Sequence, residues 1–286
     1  MISPIERGRL ALWRWREGEF WFLRRSHKTM DLTLYAGLPG SSKTLWGVRD
    51  AVQLLRAGEN VYSNLYIRDR LTGREALPCR SWLDMMRIAV DALEAGESAW
   101  FFWDELHLWA DARAWALTPP FLLTLFAERR HYRIGLLATT QHVDQVEKRL
   151  RTLVDRIVQV RPTGLRRFVR AWFKRELPLF WGEELDGAVV DAVAQGTASR
   201  EDAVLVRGLK WAPWYVWNSY STHEIVLGED LTVYKDQEIQ AEIAELERRA
   251  ALCMEPDEIE AYEDRVNLDP FGVASSEPAS WDVGEP

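Results

Sequence analysis

Apolar positions in this chain gather in short runs, separated by stretches whose apolar residues recur at helical spacing. Leu32-Thr33-Leu34-Tyr35-Ala36 reads as a buried strand. A glycine-bearing turn follows, and Thr44 to Ala57 reads as a helix stopped by Gly58. Asn60 to Ile67 is predicted as a second strand and residues 82–95 as a helix. Ala99-Trp100-Phe101-Phe102-Trp103 is a short apolar strand that runs into two acids. Phe121 to Arg130 reads as a helix and Ile134 to Thr140 as a strand. Thr152 to Val160 is expected to begin helical and end extended. Strands alternating with helices imply an α/β fold: a mostly parallel central sheet covered by helices on both faces. Right-handed crossovers then put a ligand site at the carboxyl ends of the strands.

Beyond Arg161 the pattern weakens. Residues 164–230 mix short runs with aromatics such as Trp211, Trp214, Tyr215 and Trp217, so a less regular C-terminal extension is expected. Asp236 to Ala251 reads as an exposed acidic helix, and the proline-containing residues 255–286 as a flexible tail. The expected organisation is a Trp/Arg-rich segment over 1–29, a main domain over 30–230 (core 30–162, extension 163–230), and an acidic helix with tail over 231–286. For residues 1–29 two readings stay open: a helix packing its aromatics on the body, or an interfacial segment touching a membrane or partner.

Composition narrows the class. The chain has 286 residues, 47% hydrophobic and 28% charged, which suits a folded globular protein. The longest apolar candidate, Ala114 to Ala127, is broken by Thr118, Pro119 and Pro120, so no membrane span is expected. Arg7, Arg9, Arg14 and Arg16 interrupt any signal-peptide core, so a non-secreted protein is expected. Cys79 and Cys253 are the only cysteines, which argues for a reducing compartment and against a thiolate metal site. From Asp236 onward there are 15 acidic and 3 basic residues, a net −12. Against the whole-chain −8, residues 1–235 carry +4. A mildly basic body is compatible with a nucleic-acid partner.

The chemistry sits at the strand ends. Gly37-Leu38-Pro39-Gly40-Ser41-Ser42-Lys43-Thr44 lies between a strand and a helix, the context a Walker A phosphate loop requires. Its main-chain N–H groups and the helix N-terminus suit the phosphates of ATP. Lys43 would reach the β- and γ-phosphates, and the Thr44 hydroxyl would hold Mg²⁺. Ser42 replaces the usual glycine before the lysine. If that position needs positive φ, serine costs roughly 1–2 kcal/mol more than glycine. Asp104 and Glu105 suit a Walker B strand end, with Asp104 on Mg²⁺ and Glu105 polarising the attacking water; the bland alternative is a turn with two solvated acids. Gln141 follows the strand 134–140 and would contact the γ-phosphate or the lytic water, or else cap the next helix. Arg129 or Arg130 would stabilise phosphoryl charge from a neighbouring subunit, or simply end a helix in solvent. Arg149, Arg151 and Arg156 are expected on one helix, facing DNA, a subunit or water.

Together these residues resemble the FtsK/HerA superfamily of RecA-like, ring-forming ATPases, and within it the zonula occludens toxin-like branch. The resemblance runs over about residues 30–225. It rests on the loop 37–44; Val61-Tyr62-Ser63-Asn64-Leu65; Asp104-Glu105 followed by Arg113; Arg130-His131-Tyr132; Thr140-Gln141 leading to Leu150-Arg151; and Tyr220-Ser221-Thr222. It implies ATP and Mg²⁺ as ligands, a homo-oligomeric ring with a hexamer as the expected size, and double-stranded DNA as substrate. The branch contains motors that package DNA into capsids of tailless, membrane-containing viruses, and proteins that assist filamentous-phage export. With no membrane span read in the chain, the resemblance points to the packaging motor. Its expected place is the virion or host cytoplasm, with residues 1–29 docking on a capsid vertex or viral membrane. A membrane-associated assembly ATPase and a nucleotide-gated scaffold with little turnover are the competing readings.

Overall fold

The computed structural model describes residues 30–110, 117–162, 179–187, 189–190, 199–211, 216, 219–220 and 230–253. The Trp/Arg-rich segment 1–29, Arg113, Ser221-Thr222 and the tail from 254 onward lie outside the described residues.

An eight-stranded sheet forms the centre, in the order β3-β2-β4-β5-β1-β6-β7-β8. The strands are β1 (Leu32–Ala36), β2 (Asn60–Ser63), β3 (Leu77–Pro78), β4 (Ala99–Trp103), β5 (Ile134–Thr140), β6 (Arg156–Pro162), β7 (Leu179–Asp186) and β8 (Val204–Trp211). From β3 to β6 every neighbouring pair is parallel; β7 and β8 then add antiparallel. The fold is therefore α/β with a mostly parallel sheet, as the alternation of patterns implied. The C-terminal extension differs from expectation, because it supplies two full strands to the same sheet. The second strand is also shorter than predicted, ending at Ser63 rather than Ile67. Ile67 lies beyond it, in an isolated bridge with Tyr220.

Burial on both faces explains the continuous apolar runs. In β4, Phe101 and Trp103 enter the cluster on one face, while Trp100 and Phe102 enter the cluster on the other. The second of these faces is covered by α1 (Lys43–Ala57), through Leu45, Val48, Val52 and Leu55. Gly58 ends α1 at φ 100°, a left-handed conformation that suits glycine, and its N–H bonds the Leu55 carbonyl at 3.2 Å. The first face is covered by α2 (Trp82–Glu94), α3 (Pro120–Ala127) and α4 (Lys148–Thr152). Ser81 caps α2 by accepting the Asp84 N–H at 2.9 Å, and Pro120 opens α3 at the position where its missing N–H costs nothing. The helix predicted to reach Arg130 stops at Ala127, with turns over 128–133 leading into β5.

After α5 (Arg200–Ala203), the long helix α6 (Gln237–Leu252) corrects a second expectation. It does not stand free. Ile243, Leu246 and Ala250 are buried in the cluster around α2. Arg249 binds Asp91 at 2.7 Å and Glu94 at 2.6 Å, and Arg87 binds Glu242 at 2.5 Å. The Tyr234 hydroxyl accepts the Leu83 N–H at 3.1 Å, tying the preceding turn to the start of α2. Among the described residues, no helix is long and apolar enough to cross a membrane.

Candidate functional site

The parallel strands β1, β4 and β5 deliver three segments to one end of the sheet. β1 turns at Gly37 into the loop ahead of α1. The Gly37 N–H donates to the Thr140 carbonyl at 3.2 Å, tying the loop to the tip of β5. A Cβ on Gly37 would lie 2.4 Å from Ser41 Oγ and 2.7 Å from the Val160 carbonyl, so only glycine allows this approach. Gly40 and Ser42 both adopt left-handed conformations, at φ 75° and 71°. The condition attached to Ser42 is met: a serine stands where glycine is the unstrained residue. Trp46 N–H bonds the Ser42 carbonyl at 3.2 Å and starts the helical ladder.

Ser41 is 3% exposed, and its Oγ has no hydrogen-bond partner among the described residues. An orphaned hydroxyl beside a glycine-only approach and a helix N-terminus is what an anion-holding loop would leave when its anion is not in place. The loop therefore fits a phosphate chain.

β4 delivers the acids. Asp104 is buried and its Oδ1 accepts two hydroxyls, Thr44 Oγ1 at 2.8 Å and Thr139 Oγ1 at 2.7 Å. Burial raises its pKa above the ordinary carboxylate range, against the lowering effect of those two hydroxyls; nearby Glu105 raises it further and Lys43 lowers it. A hard-oxygen set of one hydroxyl and one carboxylate fits Mg²⁺. Glu105 has φ 52° and reaches Lys43, with Oε1 2.7 Å from Nζ. His107 Nδ1 lies 3.4 Å from the other Glu105 oxygen. Gln141 stands one residue past β5, partly buried, beside the carbonyl that receives Gly37. Loop and acids thus meet through Thr44–Asp104 and Lys43–Glu105, while Gln141 is placed only by its position just past β5.

The arginines do not join them. Arg129 and Arg130 precede β5, so they sit at the amino end of the sheet, about 20 Å of strand away from the loop. Arg129 is committed to structure: it pairs with Asp155, which accepts the Leu32 N–H at 2.8 Å. Burial raises the pKa of Asp155, opposed by that N–H and by Arg129. Arg130 is exposed. Arg149 and Arg151 lie on α4, paired with Glu147 and Asp144 at 2.8 and 2.9 Å. Arg156, expected on the same helix, is instead in β6 and reaches Thr33 Oγ1 at 3.1 Å. Two site residues had no role assigned from sequence, Thr139 and Asn64. Asn64 lies in the Val61-Tyr62-Ser63-Asn64-Leu65 motif without a role attached, and Thr139 is revealed only by its register beside β4.

A parallel sheet whose first strand feeds a phosphate loop into a helix, with an acid on the next-but-one strand facing that loop's threonine, defines a P-loop NTPase fold. The family model described as zonular occludens toxin (Zot) matches residues 31–176, more than half of the chain. The protein belongs to that family. No curated protein gives a significant match. Among solved structures, the N-terminal domain of zonular occludens toxin from Neisseria meningitidis is similar at 16% identity, covering 67% of this chain and 98% of that one, with a TM-score of 0.42. The genome packaging NTPase B204 from Sulfolobus turreted icosahedral virus 2, in complex with ATP-gammaS, matches at 11% identity over 55% of this chain and 92% of that one, TM-score 0.41. A DnaB-like replicative helicase matches at 11% identity over 64% and 61%, TM-score 0.38.

Proposed function

We propose that this chain is an ATP hydrolase that assembles as a homo-oligomeric ring and drives double-stranded DNA into a preformed capsid. The observation that carries the hydrolase reading is the juxtaposition of Lys43, Thr44, Asp104 and Glu105 at the end of β1 and β4. Main-chain N–H groups of 37–44 and the Lys43 ammonium bind the β- and γ-phosphates. Thr44 and Asp104 hold Mg²⁺, which supplies charge neutralisation on the phosphate oxygens when bound. Glu105 is released from Lys43 as phosphate takes that lysine, leaving its carboxylate to orient the attacking water. Gln141 reports on the same oxygen cluster from β5. For the arginine supplied by a neighbouring subunit, the free surface position of Arg130 suits the role better than Arg129, which is tied to Asp155.

DNA as substrate is supported by charge: residues 1–235 carry +4, apart from the acidic C-terminal part. The test is ATP turnover by the full chain with and without double-stranded DNA, alongside Glu105→Gln. Expected are stimulation by DNA in the parent, and a loss of about 10²–10⁴-fold in kcat with ATP binding kept in the variant. Turnover indifferent to DNA would overturn the translocase half. Family membership also favours a second reading, a membrane-associated assembly ATPase contacting lipid through residues 1–29. Flotation with liposomes, without DNA stimulation, would select it.

A further inference from the structure

We infer that Thr139 and Asn64 are the positioning residues that aim Glu105, by gripping the acidic dipeptide from the two strands that flank β4. The inference rests on the hydrolase reading above. β4 ends at Trp103, so Asp104 and Glu105 lie beyond the regular ladder. From the β2 side, Asn64 Nδ2 donates to the Asp104 carbonyl at 3.0 Å, while Asn64 Oδ1 accepts the Asp104 N–H at 2.9 Å. A side-chain amide thereby extends the β2–β4 pairing past its last pair, Ser63 with Phe102. One amide orientation satisfies both bonds; the flipped one would set donor against donor and acceptor against acceptor.

From the β5 side, Thr139 is fully buried. Its hydroxyl has one proton, given to Asp104 Oδ1 at 2.7 Å, and its lone pair receives the Glu105 N–H at 2.9 Å. Glu105 is thus held in a left-handed backbone conformation, φ 52°, that a non-glycine residue keeps only where its surroundings impose it. The side chain leaves that held backbone toward the loop, 2.7 Å from Lys43 Nζ. Remove the Thr139 hydroxyl and the Glu105 N–H loses its partner. The backbone then relaxes toward the right-handed region and the carboxylate swings off line. Both residues act through Glu105, so they govern turnover more than nucleotide affinity.

Thr139→Val removes the hydroxyl at nearly constant shape, and Thr139→Ser restores it. On the full chain, three quantities are read: kcat, the Kd of a fluorescent ATP analogue, and amide hydrogen exchange at Glu105. Thr139→Val is expected to lower kcat by about tenfold or more, to leave Kd within about threefold, and to speed Glu105 exchange by about tenfold. Thr139→Ser is expected to recover all three. Asn64→Asp, which loses the donor to the Asp104 carbonyl, is expected to lower kcat with Kd held in the same way. Parental kcat and exchange in Thr139→Val would overturn the inference. So would a joint loss of kcat and affinity that serine does not rescue, the signature of general damage. If the parent binds ATP and never turns it over, the hydrolase reading falls and the exchange arm decides alone. Unchanged Glu105 protection in Thr139→Val then refutes the grip, and faster exchange reversed by serine upholds it.

Discussion

Ser42 offers a direct test of whether the phosphate loop is built under strain. Its φ of 71° and ψ of 32° lie in the left-handed region, and its side chain makes no capping bond to α1. An L-residue in that region is disfavoured by about 1–2 kcal/mol, which Ser42→Gly removes from the folded state. Glycine also loosens the unfolded chain, a loss of about 0.4–1 kcal/mol. The difference leaves Ser42→Gly more stable than the parent by roughly 0.8 kcal/mol, a rise in Tm of about 2–3 °C for a domain of this size. Ser42→Ala keeps the Cβ and the strain, so it is expected within about 0.5 kcal/mol of the parent. Gly40 is the reverse case. A Cβ there meets nothing within 4 Å, yet φ is 75°, so Gly40→Ala isolates the conformational cost and should destabilise by a similar amount. Urea midpoints of the four proteins, measured without nucleotide, provide the comparison. The reasoning is refuted if Ser42→Gly falls below the parent, or if Ser42→Ala gains as much as Ser42→Gly.

Three further outcomes are expected. Asp69 is fully buried and pairs with Arg56 at 2.9 Å; burial alone would raise its pKa, but hydrogen bonds from Arg56, Thr72 and the Leu71 N–H outweigh it and hold the carboxyl below its usual range. A depressed pKa contributes stability above the unfolded-state value that is lost as pH falls through the folded-state one. Asp69→Asn should therefore cost about 3 kcal/mol at pH 7, and the gap in urea-derived stability should narrow below about pH 4; a gap independent of pH would refute this. Gly47→Ala sets helix propensity, a gain of about 1 kcal/mol, against a Cβ placed 2.4 Å from Phe102 Cε2. Overpacking of about 1–3 kcal/mol should win, and a variant with a higher Tm would contradict the close packing of α1 on β4. Leu246→Ala should cost about 2–5 kcal/mol if α6 is packed on α2, whereas a change under about 0.5 kcal/mol would mark α6 as a surface helix.

What could be read in advance follows from how each element is stabilised. β1, β4 and β5 were bounded correctly because burial on both faces demands unbroken apolar runs such as Ala99 to Trp103. The α1 boundary was legible from Lys43-Thr44 and Gly58. β7 and β8 were not, because Leu179 to Asp186 carries Gly182, Glu183, Glu184 and Asp186 and joins the sheet only through long-range antiparallel pairing. The net charge of α6 points to an exposed helix, yet Ile239, Ile243, Leu246 and Ala250 recur at helical spacing, the signal of a docked face. The loop and the Asp104-Glu105 pair are legible as motifs, and the structure joins them through Thr44 and Lys43. The tie of Arg129 to Asp155 is not legible in the sequence, because Asp155 lies 26 residues away and is brought near only by the parallel crossover. Thr139 looked like any strand residue until its neighbour was known.

One consequence of the β5 tip reaches beyond single contacts. Thr140 receives the loop through Gly37, while the residue before it holds the acids on the opposite side. In the proposed mechanism, substrate holding and water activation are thus bolted to one two-residue mount, with no intervening lever. A push on β5 from its far end, where Arg129 anchors it through Asp155 to β1, would misalign both functions in the same stroke. Occupancy and turnover should therefore drift together under mechanical load, as two readings from a single gauge.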